Sequence, residues 1–170
     1  GYILVAITAA TGADNAFLSE IAVPSVLFYL FAYLFMNIGA FGVVAQLSAK
    51  AGRDVVELEE YAGLGRQEPF LAAAMSIFML SMAGIPPLAG FIAKFYVFSA
   101  AVKAGFIWLA VLGVLNSALS LYYYLYVIVT MYMKEGREVF KPIDTRWVVG
   151  GVAVCAFFVV LLGILPGSYI

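Results

Sequence analysis

FLAAAMSIFMLSMAGIPPLAGFIAKFYVFSAAV (70–102) is the stretch on which the fold turns. Its 33 residues carry one charge, Lys94. A single straight helix of that length would run about 50 Å, whereas the hydrocarbon core of a bilayer is about 30 Å thick. The stretch is therefore either two full spans joined by a tight turn, or one span broken in the middle with its halves offset. A local cause for a break stands at Gly84-Ile85-Pro86-Pro87. Residues before proline avoid the helical region, and proline has no N–H for the helical ladder. Pro87 suits the first turn of a second half, and Gly90 lets another backbone approach closely. Non-helical backbone at membrane depth persists only where protein or a water-filled cavity satisfies its polar groups.

The Lys and Arg residues choose between the two paths, because short cytoplasmic loops carry an excess of them. If the stretch crosses once, loop 50–69 (Lys50, Arg53, Arg66) and loop 134–146 (Lys134, Arg137, Lys141, Arg146) share one side. Lys103 is then alone on the other, a ratio of seven to one. If it crosses twice, the ratio is four to four. The asymmetric arrangement favours one discontinuous helix, with both charged loops cytoplasmic.

Outward from that stretch, the chain of 170 residues is 65% hydrophobic and 11% charged. Soluble domains run at about 45–50% apolar and about 25% charged. So little charge excludes a soluble enzyme and a disordered tail. Nine Lys/Arg against ten Asp/Glu leave no basic excess for nucleic acid. Residues 21–49, 69–93, 104–133 and 147–170 contain no charge at all. Each is long enough to cross a bilayer, for which roughly 20 apolar residues suffice. The expected fold is all-α, a polytopic transmembrane helical bundle forming one membrane domain over 1–170. Its spans are read at 21–48, 70–102 (broken at 84–87), 105–133 and 147–165. Residues 1–12 are too short to cross and read as the second half of a helix, so the sequence reads as the C-terminal piece of a longer subunit. Trp108, Tyr132, Trp147 and Tyr169 fall near expected helix ends, where aromatic anchors belong. In loop 50–69, Val55, Leu58, Tyr61 and Leu64 recur at every third position. A short surface helix would use that spacing, but a solvated connector is the favoured reading.

Little in the sequence supports soluble-type chemistry. There is no His and no nucleotide-binding or hydrolase motif, and the one cysteine, Cys155, sits in an apolar run. Lys94 is the residue that needs explaining. A lysine at the bilayer centre costs about 2.5–3.5 kcal/mol on insertion scales and usually faces a wet cavity or the bundle interior. Lysine, unlike arginine, can exist as a neutral amine in a desolvated site. Exchange between its two forms is what a proton relay needs. The competing reading is that Lys94 only satisfies carbonyls freed by the break. Broken helices whose ends face a midplane ion site are typical of secondary transporters. Asn37 lies mid-helix beside Gly39, Ala40 and Gly42, a pattern that favours close helix packing over the alternative of a place on a water path. Asn116, Ser120 and Tyr124 recur four residues apart, flanked by Ser117 and Tyr123. They would line a water path or hold helices together.

Three segments, YLFMNIGAFGVV (33–44), LSMAGIPPLAGFIAKFYVF (80–98) and SLYYYLYVIVTMY (120–132), resemble a known family. They are similar to the C-terminal part of subunit N of proton-pumping NADH–quinone oxidoreductase, respiratory complex I, an antiporter-like membrane subunit. The resemblance covers nearly the whole chain. It implies inverted repeats, each with a broken helix, of which this chain would hold most of the second. It matches Lys94 to the family's lysine on that broken helix. Subunits L and M usually carry a His-containing motif where Asn37-Ile38-Gly39-Ala40-Phe41 stands here, and the long lateral helix of subunit L has no counterpart. The resemblance implies proton translocation in a bacterial inner membrane, coupled to electron transfer from NADH to quinone. The cofactors (NADH, FMN, iron–sulfur clusters and quinone) would belong to partner subunits, with none held by this chain. The implied partners are the other membrane subunits of complex I, the lipid bilayer, protons and water, with no nucleic acid. The alternatives are a subunit of a multisubunit cation–proton antiporter or membrane-bound hydrogenase, and a purely structural membrane scaffold.

Overall fold

A computed structural model describes residues 1–11, 21–136 and 146–165. Its helices are α1 (Tyr2–Thr11), α2 (Val23–Ala51), the single turn α3 (Leu64–Gln67), α4 (Pro69–Ala83), α5 (Ala89–Lys103), α6 (Ile107–Met133) and α7 (Arg146–Ile164), with a 3-10 turn at Leu58–Tyr61. Three of them, α2, α6 and α7, are long and apolar enough to cross a membrane. Helices α4 and α5 have 15 residues each, about 22 Å of rise, short of the roughly 30 Å that a full crossing takes. The expected all-α bundle with a discontinuous helix in 70–102 is what is found.

Glycines in the left-handed region set several boundaries. Gly52 (φ 71) stops α2, and its N–H bonds to the carbonyls of Ser48 and Ala49. The helix runs on to Ala51, where Lys50 in its last turn suits the negative end of the helix dipole. At the other end of the bundle, Gly105 (φ 84) turns the chain, and α6 starts at Ile107.

The helices pack through small residues. Ala6, Ala9, Ala32, Ala72, Ala89, Ala93, Ala100 and Ala101 are all fully buried. A Cβ on Gly39 would stand 2.1 Å from Phe78 Cζ, and one on Gly163 would stand 2.0 Å from the Pro87 carbonyl oxygen. Van der Waals packing of this kind replaces the hydrophobic driving force that lipid tails cannot supply. Large apolar side chains point outward instead, among them Phe41, Leu112, Leu119 and Phe157, as suits a hydrocarbon solvent. Trp108 and Trp147 are exposed at the starts of α6 and α7; Tyr169 lies outside the described residues.

The two half-helices run in series along α6. Gly65, just before α4, meets the ring of Tyr132 near the end of α6. Farther along, Lys94 of α5 bonds Ser117, and Phe98 packs on Gly113 near the start of α6. The Gly63 Cα position abuts Gly136, so loop 52–68 and residues 134–136 share one end of the bundle. That arrangement requires a single crossing. Arg137 and Lys141 lie outside the described residues.

Loop 52–68 is not the solvated connector favoured by the sequence. Val55, Tyr61 and Leu64 are buried, because the turn at Leu58–Tyr61 and α3 both seat against α6 while Val55 is held to Ser48 of α2. The Glu60 carboxylate accepts the N–H groups of Val56 and Glu57 at 2.8 Å each and pairs with Arg53. Lys50 pairs with Glu68, tying the end of α2 to the residue that precedes α4.

Candidate functional site

The break leaves a specific set of oxygens to satisfy. A helix ends with four carbonyls that have no partner within it. At the end of α4, Gly84 (φ 89) takes the left-handed conformation, and its N–H bonds Leu80 O and Ser81 O at 3.1 and 3.0 Å. The Ile85 N–H also reaches Leu80 O at 3.1 Å, the outer bond of a Schellman closure. Pro86 and Pro87 then have no N–H to offer. Two carbonyls remain, and Lys94 takes both. Its Nζ donates to Met82 O at 2.7 Å and to Ala83 O at 3.2 Å. A cation at the C-terminal end of a helix is also favoured by the helix dipole.

Helix α5 starts where α4 stops, displaced to its side. Leu88 is the N-cap, with an extended backbone (φ −99, ψ 157). Pro87 therefore stands one residue before the cap and not inside the first turn as the sequence suggested; α5 takes its first helical residue at Ala89. The Gly90 N–H donates to Ser81 Oγ at 3.0 Å. A Cβ on Gly90 would lie 1.8 Å from the Ser81 carbonyl oxygen, so this near approach requires glycine. It brings the start of α5 alongside the last turn of α4 and carries Lys94 to the freed carbonyls.

The third proton of the Lys94 ammonium goes to Ser117 Oγ on α6, at 2.7 Å. Nζ also lies 5.1 Å from the ring centroid of Tyr2, within range of a cation–π attraction. Lys94 is 8% exposed. Every N–H it can offer as an ammonium is thus used, in a place where an unpaired charge could not persist.

Lys94 borders two spaces. One, of about 40 Å³, is lined by Tyr2, Tyr29, Tyr33, Tyr124, Ser81 and Ser120 with Met36, Met82 and Gly90. It has room for an ordered water among several hydroxyl groups. The other is an open cleft of about 310 Å³ between α5 and α6, lined by Gly84, Phe95, Phe98, Val114, Ser117 and Leu121 among others.

Gly84, Pro86, Pro87, Gly90 and Lys94 thus form one constellation. Ser120 and Tyr124 lie on the small cavity, although Ser120 donates to the Asn116 carbonyl of its own helix. Asn116 faces outward and reaches the Tyr2 hydroxyl at 3.4 Å. Asn37 stands apart from the site and donates to the Tyr33 carbonyl one turn back. Five polar contributors were not read from the sequence as part of the site: Tyr2, Tyr29, Tyr33 and Ser81, and Ser117, noted only as flanking the polar stripe. Tyr29 and Tyr33 had a signal in their four-residue spacing on α2. Among the described residues, no group of three His, Cys, Asp or Glu could hold a metal.

Comparison with known proteins shows the family to which the chain belongs. A family model described as NADH:quinone oxidoreductase/Mrp antiporter, TM, matches residues 1–120. The chain is 48% identical over 167 residues to NADH-quinone oxidoreductase subunit N of Trichlorobacter lovleyi, covering 98% of this chain and 32% of the relative. It is 41% identical over 167 residues to the subunit N of Bdellovibrio bacteriovorus, covering 98% of this chain and 34% of the relative. The chain thus spans about a third of the length of these relatives. Among solved structures, a chain of respiratory complex I from Thermus thermophilus with bound aureothin superposes with a TM-score of 0.80 at 32% identity. That match covers 98% of this chain and 35% of the other. A chain of the Mrp complex from Dietzia sp. DQ12-45-1b shares the fold, with a TM-score of 0.72 at 21% identity over 87% of this chain and 35% of that one. With more than half of its length matched by the family model, this chain belongs to the NADH:quinone oxidoreductase/Mrp antiporter transmembrane family.

Proposed function

We propose that this chain is part of a membrane subunit that translocates protons in an NADH–quinone oxidoreductase, with Lys94 as the proton carrier. The carrying observation is the placement of Lys94. It is a buried amine at the break of a discontinuous helix, bonded across to a second helix and bordering two separate spaces. An amine so held can lose a proton on one side and regain it from the other. The relatives named as subunit N supply the assembly in which such a step would be driven. NADH oxidation, flavin, iron–sulfur clusters and quinone then belong to partner subunits, and this chain contributes proton movement alone. Loops 50–69 and 134–146 face the cytoplasm of a bacterial inner membrane in this reading, following the Lys and Arg ratio, and the apolar outer faces of α2, α6 and α7 meet lipid or neighbouring membrane subunits.

The test is affinity purification of the full-length subunit from its own membranes, followed by NADH-driven proton uptake in vesicles. Co-purification of an NADH-oxidising assembly is expected, with proton uptake lost in the Lys94→Ala variant of the assembled complex. Purification with a cation–proton exchanger that does not oxidise NADH would assign the chain to the antiporter branch of the family. Unchanged proton uptake in the Lys94→Ala assembly would make the subunit a scaffold.

A further inference from the structure

We propose that the Ser117 hydroxyl conducts protons off Lys94 into the cleft between α5 and α6; this rests on the reading of Lys94 as the proton carrier. The Lys94 ammonium has three acceptors, Met82 O, Ala83 O and Ser117 Oγ. Only one of them can pass a proton on. A peptide carbonyl has no proton of its own to release, so what it accepts can only return. A hydroxyl accepts at a lone pair and releases its own hydrogen from the same oxygen.

The hydroxyl of Ser117 is also held differently from others in the bundle. Ser25, Ser76 and Ser120 each donate to the carbonyl four residues earlier in their helices. Ser117 makes no such bond. Its oxygen accepts from Lys94, and among the described residues its hydroxyl proton has no acceptor. Ser117 and Lys94 both border the cleft of about 310 Å³, into which that proton is free to turn. In the transfer, an N–H bond of the ammonium breaks as its proton forms a new O–H bond on Ser117. The original O–H bond of Ser117 breaks as its proton passes to a water molecule in the cleft. Lys94 is left as a neutral amine, the serine is regenerated, and the positive charge leaves with the water.

Three substitutions in the full-length subunit, within the assembled complex, separate conduction from anchoring. Ser117→Thr keeps the hydroxyl. Ser117→Ala removes it. Ser117→Asn keeps an oxygen that can accept from Lys94 but has no hydroxyl, and the open cleft has room for it. Proton pumping per assembled complex is expected near the wild-type rate in the Thr variant. It is expected to be slowed by roughly an order of magnitude or more in the Ala and Asn variants, a modest effect for a lost proton-transfer group. Wild-type pumping in the Asn variant would make Ser117 an anchor only and overturn the proposal. Wild-type pumping in the Ala variant, or loss in the Thr variant equal to that in the Ala variant, would overturn it as well. If the Ala variant does not assemble, the Thr and Asn pair still decides. The same membranes carrying Lys94→Ala keep the two ideas apart. Pumping lost there but retained in Ser117→Ala rejects only the serine, whereas pumping retained in Lys94→Ala rejects Lys94 as carrier.

Discussion

Lys94 satisfies a structural demand with three hydrogen bonds, and the role proposed for it runs through the same three. The two carbonyls it donates to, Met82 O and Ala83 O, exist as free acceptors only because α4 ends there. The near approach that delivers the lysine depends on Gly90. Gly90→Ala would drive a Cβ to 1.8 Å from the Ser81 carbonyl oxygen. Overpacking of this kind costs about 1–3 kcal/mol, so the variant is expected to lower the thermal stability of the full-length subunit and its yield in the assembled complex. A Gly90→Ala subunit with wild-type melting and yield would show that α5 can stand off from α4. At this scale, the sequence exposed Lys94 because a lone charge in an apolar run is conspicuous against a lipid solvent. It exposed the break because glycine and proline constrain the backbone whatever surrounds them. It did not tell Ser117 from Ser120, although both lie on one turn of α6. Polar residues lie at exposed and half-buried positions of α6 alike, Asn116 and Tyr123 exposed, Ser117 and Tyr124 half-buried, so no polarity gradient says which way a given serine points. Only the seating of α5 against α6 decides that.

Among the elements, the discontinuous helix and the cap at loop 52–68 are linked, since both depend on α4 entering from the same end at which α6 leaves. Cysteines introduced singly at exposed Glu59 and at Glu135 should therefore react with an impermeant thiol reagent from the same face. Lys103→Cys should react from the opposite face. Labelling of Glu59→Cys and Glu135→Cys from opposite faces would mean that 69–103 crosses twice. The cap also has a pH dependence with a defined sign. The hydrogen bond from Arg53 holds the Glu60 carboxyl below the usual carboxylate range. A lowered value in the folded state gives a contribution that is complete above the ordinary carboxylate pKa and is lost as pH falls through the lowered one. Hydrogen exchange at the Val56 and Glu57 amides should stay slow, relative to the intrinsic rate, at pH values where an ordinary carboxylate is already half protonated. It should become fast only below that. Loss of protection at or above the ordinary range would show that the Arg53 contact does not hold Glu60 ionised. The helices themselves were legible because charge-free windows longer than a bilayer leave few other structures available. The packed loop was not. The burial of Tyr61 and Leu64 depends on α6, whose end lies more than sixty residues farther along the chain, and a three-residue spacing does not reveal that partner.

The whole bundle places a buried amine at the break between two half-helices that do not line up, between a small cavity lined by four tyrosines and a cleft on its other flank. The chain spans about a third of its relatives, and in the proposed function the drive for proton movement comes from the rest of the assembly. The role proposed for Lys94 requires a group that is held in place and yet can change its charge. Arginine at position 94 separates those two properties, because it keeps the charge and the capacity to cap α4 but does not deprotonate in proteins. The decisive measurement is protons pumped per NADH oxidised by the assembled complex carrying Lys94→Arg, with assembly verified first. Proton carriage by Lys94 predicts pumping as impaired as in Lys94→Ala. Near-normal pumping in the arginine variant, with failure only in the alanine variant, would contradict it and leave Lys94 as the fixed cap of a broken helix.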